Sequence, residues 1–272
     1  MYKQNLHTHS VFCDGKNSLE ELVLEAIAKG FDSVGFSSHS YTPFDESYCM
    51  KRDSVADYVA ECARLKRKYA DKIVVLGGIE QDFYAPTPDF APDFVIGSVH
   101  YLKVGETYVP VDKKADIIAN AVKFHFGGDS YAFVESYYTT VENVKKVTNC
   151  DVIGHFDLVT KFRDVSSPLF DESHPRYVAA AEKALDALIS QNVIFEINSG
   201  AVARGYRTDP YPSPRILKRI AEAKGKITLS SDCHEKSKLD CAYTEMLDAA
   251  KRAGFAEIYV LKNGKFVPEP IS

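Results

Sequence analysis

Leu6-His7-Thr8-His9-Ser10-Val11-Phe12-Cys13-Asp14-Gly15 places two imidazoles two residues apart, close to the start of the chain. On an extended strand, residues two apart point to the same face. His7 and His9 therefore reach one metal ion together, with Asp14 close behind in the loop. Alone the pair is a weak signal, because His-x-His also occurs on ordinary surface strands. It gains weight because the rest of the chain keeps producing the same kind of ending.

Working outward, residues 18–29 read as a helix. Ser18 and Glu21 have the spacing of a capping box, Leu19, Leu22, Val23, Ala26 and Ile27 make one apolar stripe, and Gly30 closes it. Further helices are predicted over 54–69, 113–125, 131–146, 175–191, 213–224 with Pro214 in its first turn, and 239–253. Between them lie short apolar runs over 33–39, 73–80, 94–100, 152–157, 193–198 and 227–234, and a terminal strand is predicted near 258–261. Such continuous runs are what strands covered on both faces look like, so a mostly parallel α/β sheet is expected. The polar residues fall at the strand ends: His7 and His9, His39, Glu80, His100, His155, Asn198, then Asp232 and His234. In a (β/α) barrel those ends gather on one face, where the sites of such barrels are built.

Composition narrows the classes. A chain of 272 residues is long for two small domains and comfortable for one barrel, so a single domain over 1–272 is expected. No apolar run approaches a membrane span, and the first functional stretch begins too early to leave room for a signal peptide. The six cysteines form no Cys-x-x-Cys pair and no disulfide-like framework, which points to reduced thiols and a cytoplasmic location. A net charge of −5 without a Lys/Arg run argues against long nucleic acid as a partner, while a small phosphate ester remains suitable.

The potential ligands are His7, His9, His39, His100, His155, His234, Asp14, Glu80 and Asp232. One zinc takes three or four, so this set suggests two or three divalent ions with a bridging carboxylate. Imidazole with carboxylate suits zinc, manganese or iron, whereas magnesium and calcium prefer oxygen alone. His125 and His174 lie outside the pattern and read as structural or surface residues. Cys13 and Cys233 read as small packed residues beside ligands.

In order, His-x-His followed by Asp-Gly, Ser-His39, Gly-Ile-Glu80, Ser-Val-His100, Gly-His155-Phe-Asp157 and Ser-Asp232-Cys-His234 resemble the motifs of the polymerase-and-histidinol-phosphatase (PHP) family of metal-dependent phosphoesterases. The resemblance implies a distorted seven-stranded, TIM-like (β/α) barrel with three metals at the C-terminal ends of its strands. By analogy His7, His9, Glu80 and Asp232 hold one ion. Glu80, His100 and His155 hold a second, and Asp14, His39 and His234 a third. Asp14 departs from the histidine that many members carry there. The Gly-His-Phe-Asp wording and the run Asn198-Ser-Gly…Arg204-Gly…Tyr211-Pro-Ser-Pro resemble the histidinol-phosphatase branch. That branch hydrolyses L-histidinol phosphate to L-histidinol and phosphate in histidine biosynthesis.

The ligand set implies a hydroxide, held between two metals, that attacks phosphorus in line. Metals and arginines would stabilise the phosphoryl oxygens; Arg163, Arg204 and Arg207 all follow strand ends and are candidates to bind phosphate, since a guanidinium matches two oxygens at once. The leaving alkoxide would take its proton from Asp157 or from a water on the third metal. Asp157 also reads as a partner orienting a ligand histidine, and Asn198 as either such a partner or a loop cap. Asp45, Asp82 or Asp209 would meet a cationic amine. The alternatives are the same chemistry on a nucleotide or other small phosphate ester, or a non-catalytic metal-binding module.

Overall fold

A computed structural model describes residues 1–271. Its elements are Gln4–Asn5 (β1), Leu19–Ala28 (α1), Ser33–Phe36 (β2), Val55–Lys68 (α2), Val74–Gly77 (β3), Ile79–Asp82 (β4), Val95–Ser98 (β5), Tyr101–Val104 (β6) and Thr107–Pro110 (β7). Then follow Ala115–His125 (α3), Ser130–Val141 (α4), Val144–Thr148 (α5), Val152–Ile153 (β8), Pro175–Ser190 (α6), Ile194–Asn198 (β9) and Gly200–Ala203 (α7). Pro214–Glu222 (α8), Lys226–Ser230 (β10), Tyr243–Ala253 (α9), Glu257–Lys262 (β11) and Lys265–Pro270 (β12) complete the chain.

The fold is mixed α/β, and the strands that carry the expected ligands are parallel. They form a three-stranded sheet, β1-β2-β3, and a five-stranded sheet in the order β10-β9-β8-β5-β4. The run over 73–80 reads as one strand in the sequence, but the structure breaks it at Gly78. Its first half pairs with β2 and its second half with β5. A Cβ on Gly78 would stand 2.3–2.5 Å from the Phe94 ring, so only glycine lets the strand pass between sheets there. Single bridges join the sheets at the ligand end, His39 to Glu80 on one side and Thr8 to Cys233 on the other.

Helices cover the sheets outside. Leu19, Leu22 and Val23 of α1 and Tyr58, Cys62 and Leu65 of α2 pack on β2 and β3, while α3, α4, α6, α8 and α9 form the larger core against β8, β9 and β10. A small third cluster of Leu6, Phe94, Ile96, Val152, Ile194 and Leu261 joins residues of both sheets. The predicted cap of α1 is present: Ser18 accepts from the Glu21 amide, and the Glu21 carboxylate accepts from the Ser18 amide.

Three local readings change. The helix expected over 131–146 is divided at Glu142 and Asn143, where the Asn143 amide side chain donates to the Thr139 carbonyl at 2.9 Å. The helix expected from 239 begins at Tyr243. Two antiparallel hairpins appear that the apolar runs did not announce, β6–β7 through Gly105 and β11–β12 through Asn263-Gly264, both of the latter with positive φ. An Asn-Gly pair is itself a hairpin signal, so the second was legible. The six cysteines are unpaired, and no helix among the described residues is long and apolar enough to cross a membrane.

The Tyr58 hydroxyl, fully buried, donates to the carbonyls of Phe36 (3.0 Å) and Gly78 (2.8 Å) and so clasps the strand break to β2. Tyr58→Phe leaves the Gly78 carbonyl short of a donor and is expected to cost about 1–3 kcal/mol. Urea denaturation checks this as a lower midpoint at unchanged slope.

Candidate metal centre

The structure brings all nine candidate ligands together at one end of the parallel strands. His7 Nε2 lies 3.3 Å from Glu80 Oε2 and 3.8 Å from Asp232 Oδ1. His9 Nε2 lies 3.6 Å and 3.2 Å from the same two oxygens. The other Glu80 oxygen, Oε1, faces His155 Nε2 at 3.0 Å and His100 Nε2 at 3.3 Å. Asp14 Oδ1 faces His234 Nε2 at 3.3 Å, His39 Nε2 at 3.6 Å and His9 Nδ1 at 3.9 Å. His39 turns its other nitrogen to Glu80 Oε2 at 2.8 Å, and so groups with Glu80 and His100 as well as with Asp14.

These residues fit divalent cations. His7 Nε2, His9 Nε2 and Glu80 Oε2 are buried without a hydrogen bond, an expensive state for polar atoms in a protein interior. They converge on one another without a hydrogen-bond partner, which is the arrangement a metal ion satisfies.

The charges point the same way. Burial would raise the Glu80 carboxyl, but His39, His7 and His100 outweigh it and hold the group well below its usual range. Burial likewise opposes ionisation of Asp232, and Arg204 and His7 override it. The converse holds for imidazoles. Burial lowers His7, yet Glu196, Glu80 and Asp232 raise it well above its ordinary value; Glu80 raises His100 and His39 in the same way. His9 differs: burial, then the His234 and His39 rings beside it, push it down to about 3, so its lone pair stays free.

Behind the ligands stands a set of residues that the sequence reading missed. Glu196, buried in the middle of β9, accepts from His155 N (2.6 Å), Ser230 Oγ (2.5 Å) and Asn198 Nδ2 (2.7 Å), and its Oε2 lies 2.9 Å from His7 Nδ1. With Nδ1 so engaged, Nε2 of His7 is left to face Glu80 and Asp232. The available signal was a charge inside the apolar run 193–198, since glutamate is almost never fully buried unless paired. Asp82 does the same for His100, with Oδ2 at 3.2 Å from its Nδ1 and 3.1 Å from its amide nitrogen. This places Asp82 behind a ligand imidazole, where sequence reading had offered it to a substrate amine. Asn198 accepts from Gly200 N at 2.8 Å, the loop cap that was one of its two readings, and donates to Glu196, which is not itself a candidate ligand. His174 caps α6, its Nδ1 accepting from Arg176 N, and His125 ends α3 on the surface.

Beside the cluster opens a cavity of about 410 Å³. Arg204 lines it and donates to Asp232 Oδ2 (3.1 Å), with its Nη1 at 3.0 Å from His234 Nδ1. The structure brings neither Arg163 nor Arg207 to this cavity. Arg163 is held by Asp209, Glu172 and Asp164. Arg207, its side chain fully buried, donates to Thr160 Oγ1 at 2.6 Å and lies over the Tyr211 ring at 4.2 Å. Asp157 is buried as well; it accepts from Ser213 N at 2.8 Å and lies 3.8 Å from Arg207, off the cavity wall. Asp45 lines the cavity, engaged with Tyr101, Lys113 and Ser47, whereas Asp209 pairs with the arginines.

The PHP domain family model matches residues 5–200, and the chain belongs to that family. It is 26% identical over 274 residues to the histidinol-phosphatase of Bacillus subtilis, covering 91% of this chain and 99% of the relative. Its fold matches a histidinol phosphate phosphatase of Lactococcus lactis, solved in complex with zinc, L-histidinol and phosphate. The TM-score is 0.73 at 23% identity, with 97% of this chain and 98% of that one covered. A chain from Listeria monocytogenes shares the fold at TM-score 0.76 and 19% identity, over 89% of this chain and 99% of its own length.

Two outcomes are expected. Glu196→Gln loses the charge that holds His7, and metal affinity falls by about 10–100-fold, read by competition with a chromogenic chelator. Because the metal-free site raises His7, His39 and His100, protons compete there with metal, so affinity rises with pH and binding releases protons. Titration calorimetry in buffers of different ionisation enthalpy measures that release; a buffer-independent heat contradicts it.

Proposed function

We propose that this chain is a metal-dependent phosphomonoesterase that hydrolyses L-histidinol phosphate to L-histidinol and phosphate. The observation that carries this is the placement of Glu80. Its two oxygens face two separate sets of imidazoles, at the edge of a cavity that also holds Arg204. The relationship to histidinol-phosphatase along nearly the whole chain supplies the substrate.

In this reading His7, His9, Glu80 and Asp232 would hold one ion, Glu80, His100 and His155 a second, and Asp14, His39 and His234 a third. Zinc is favoured by the Lactococcus lactis relative's complex, and manganese or iron suits the same donors. Bound there, the ions supply a water acidic enough to attack at neutral pH and positive charge for the phosphoryl oxygens.

The protein's own groups do the rest. Arg204 offers its guanidinium to the phosphate from the cavity wall, steered by Asp232. Glu196 and Asp82 keep the ligand nitrogens of His7 and His100 turned inward. Arg207 and Asp157 act from behind, bracing the segment after His155 through Thr160 and Ser213. We read the two sheets as a distorted barrel forming one domain across the chain. A biosynthetic enzyme of this kind belongs in the cytoplasm.

The test is phosphate release from L-histidinol phosphate beside p-nitrophenyl phosphate, a nucleoside monophosphate and a phosphodiester, with zinc, manganese or iron added in turn. High kcat/KM is expected for histidinol phosphate alone, falling to background in Glu80→Ala. Equal weak turnover of every monoester removes the substrate assignment, and bound metal without turnover removes the enzyme.

A further inference from the structure

Two oppositely charged cavity residues are used by none of the groups above. Asp112 and Lys161 both line the cavity, and Lys161 Nζ donates to Asp112 Oδ2 at 2.8 Å and to its carbonyl at 2.9 Å. Neither belongs to a metal-binding group. Both are tied to the backbone of ligand histidines. Val111, just before Asp112, donates its amide to the His100 carbonyl at 2.9 Å. The turn that carries Lys161 begins where Leu158 N donates to the His155 carbonyl, also at 2.9 Å. The pair is thereby anchored beside the half of the site that Glu80 Oε1 shares with His100 and His155.

The pair keeps free binding capacity. Asp112 Oδ1 accepts no hydrogen bond among the described residues, and two of the three Lys161 donors have partners. Of the other carboxylates here that are not candidate ligands, Asp45 is saturated, with Oδ1 accepting from Ser47 and Oδ2 from Tyr101 and Lys113, and the exposed Glu235 pairs with Lys16 at 2.9 Å. A phosphomonoester of a 2-amino alcohol carries the complementary pair, an ammonium and a phosphate a few bonds apart.

We propose that Asp112 and Lys161 form the subsite selecting phosphomonoesters with a primary ammonium on the carbon next to the ester methylene, Asp112 taking the ammonium and Lys161 facing the phosphate. This rests on the phosphomonoesterase reading and names the residues behind its choice of substrate. A site built to pair with a polar group rejects the analogue that lacks it, because Asp112 Oδ1, the oxygen that Lys161 does not engage, is then buried against the ligand without a donor.

The test compares kcat/KM for L-histidinol phosphate and for the same ester without its amine, using zinc-loaded protein. The wild type prefers the amine-bearing ester, and in Asp112→Asn the ratio of the two values falls by at least about tenfold at unchanged zinc content. Lys161→Met lowers both values together. Should Asp112→Asn fail to fold, Asp112→Glu displaces the carboxylate by one carbon and is expected to lower the ratio as well. A wild-type ratio near one, or a variant ratio equal to the wild type's, overturns the inference and leaves the phosphatase reading standing. Hydrolysis of neither ester by the wild type overturns that reading itself.

Discussion

A carboxylate buried among five imidazoles is the constraint on which the rest of this structure depends. Glu80 lies within 3.6 Å of ring nitrogens of His7, His9, His39, His100 and His155, with about 1% of its surface exposed. Removing an ionised carboxylate from water costs several kcal/mol even after relaxation, roughly. Positive charge must offset that cost. Without metal it comes from protons on His7, His39 and His100, and the same field that draws those protons draws divalent ions more strongly.

Bringing the ends of β1, β2, β5 and β8 to the Glu80 carboxylate of β4 demands backbone room as well as side-chain chemistry. The break at Gly78 lets one strand pair first with β2 and then with β5, which carries Glu80 across the junction between the sheets. At Gly200 a Cβ would come within 2.4 Å of Asp232 Oδ2 and 2.9 Å of Arg204 Nη2, so the pair that faces the cavity exists because the position is bare. The bridges His39–Glu80 and Thr8–Cys233 set the register in which the ligands come level.

Much of this was legible. Parallel strands followed from continuous apolar runs, and eight of the nine candidate ligands from polar residues at or just past the ends of those runs, with Asp14 in the loop after His9. The break at Gly78 was not, because Leu76-Gly-Gly-Ile79 reads equally well as one strand; only the Phe94 ring shows why it stops. Glu196 and Asp82 escaped because each partners a histidine far away in the chain, at separations of 189 and 18 residues, which no local pattern reports. The choice among the arginines escaped for another reason. Following a strand end placed all three near the rim, but which one faces the cavity depends on nearby carboxylates. Arg163 is taken by Asp209, Glu172 and Asp164, while Arg204 meets Asp232 and the His234 ring.

The carboxylates divide by what lies on their other side. Glu80, Asp232 and Asp14 face imidazole nitrogens across a gap that a cation fills, so their charge is available to an ion. Glu196 and Asp82 engage the far nitrogen of the same kind of ring. That selects its tautomer and makes the near nitrogen a better donor to metal. Asp157 and Asp209 meet guanidinium groups instead, and their charge goes into bracing loops. The functional group, a carboxylate, is the same in all three cases. Function is decided by whether the partner is a lone pair, an N–H or a fixed cation, and that is set by the strand register and not by any motif.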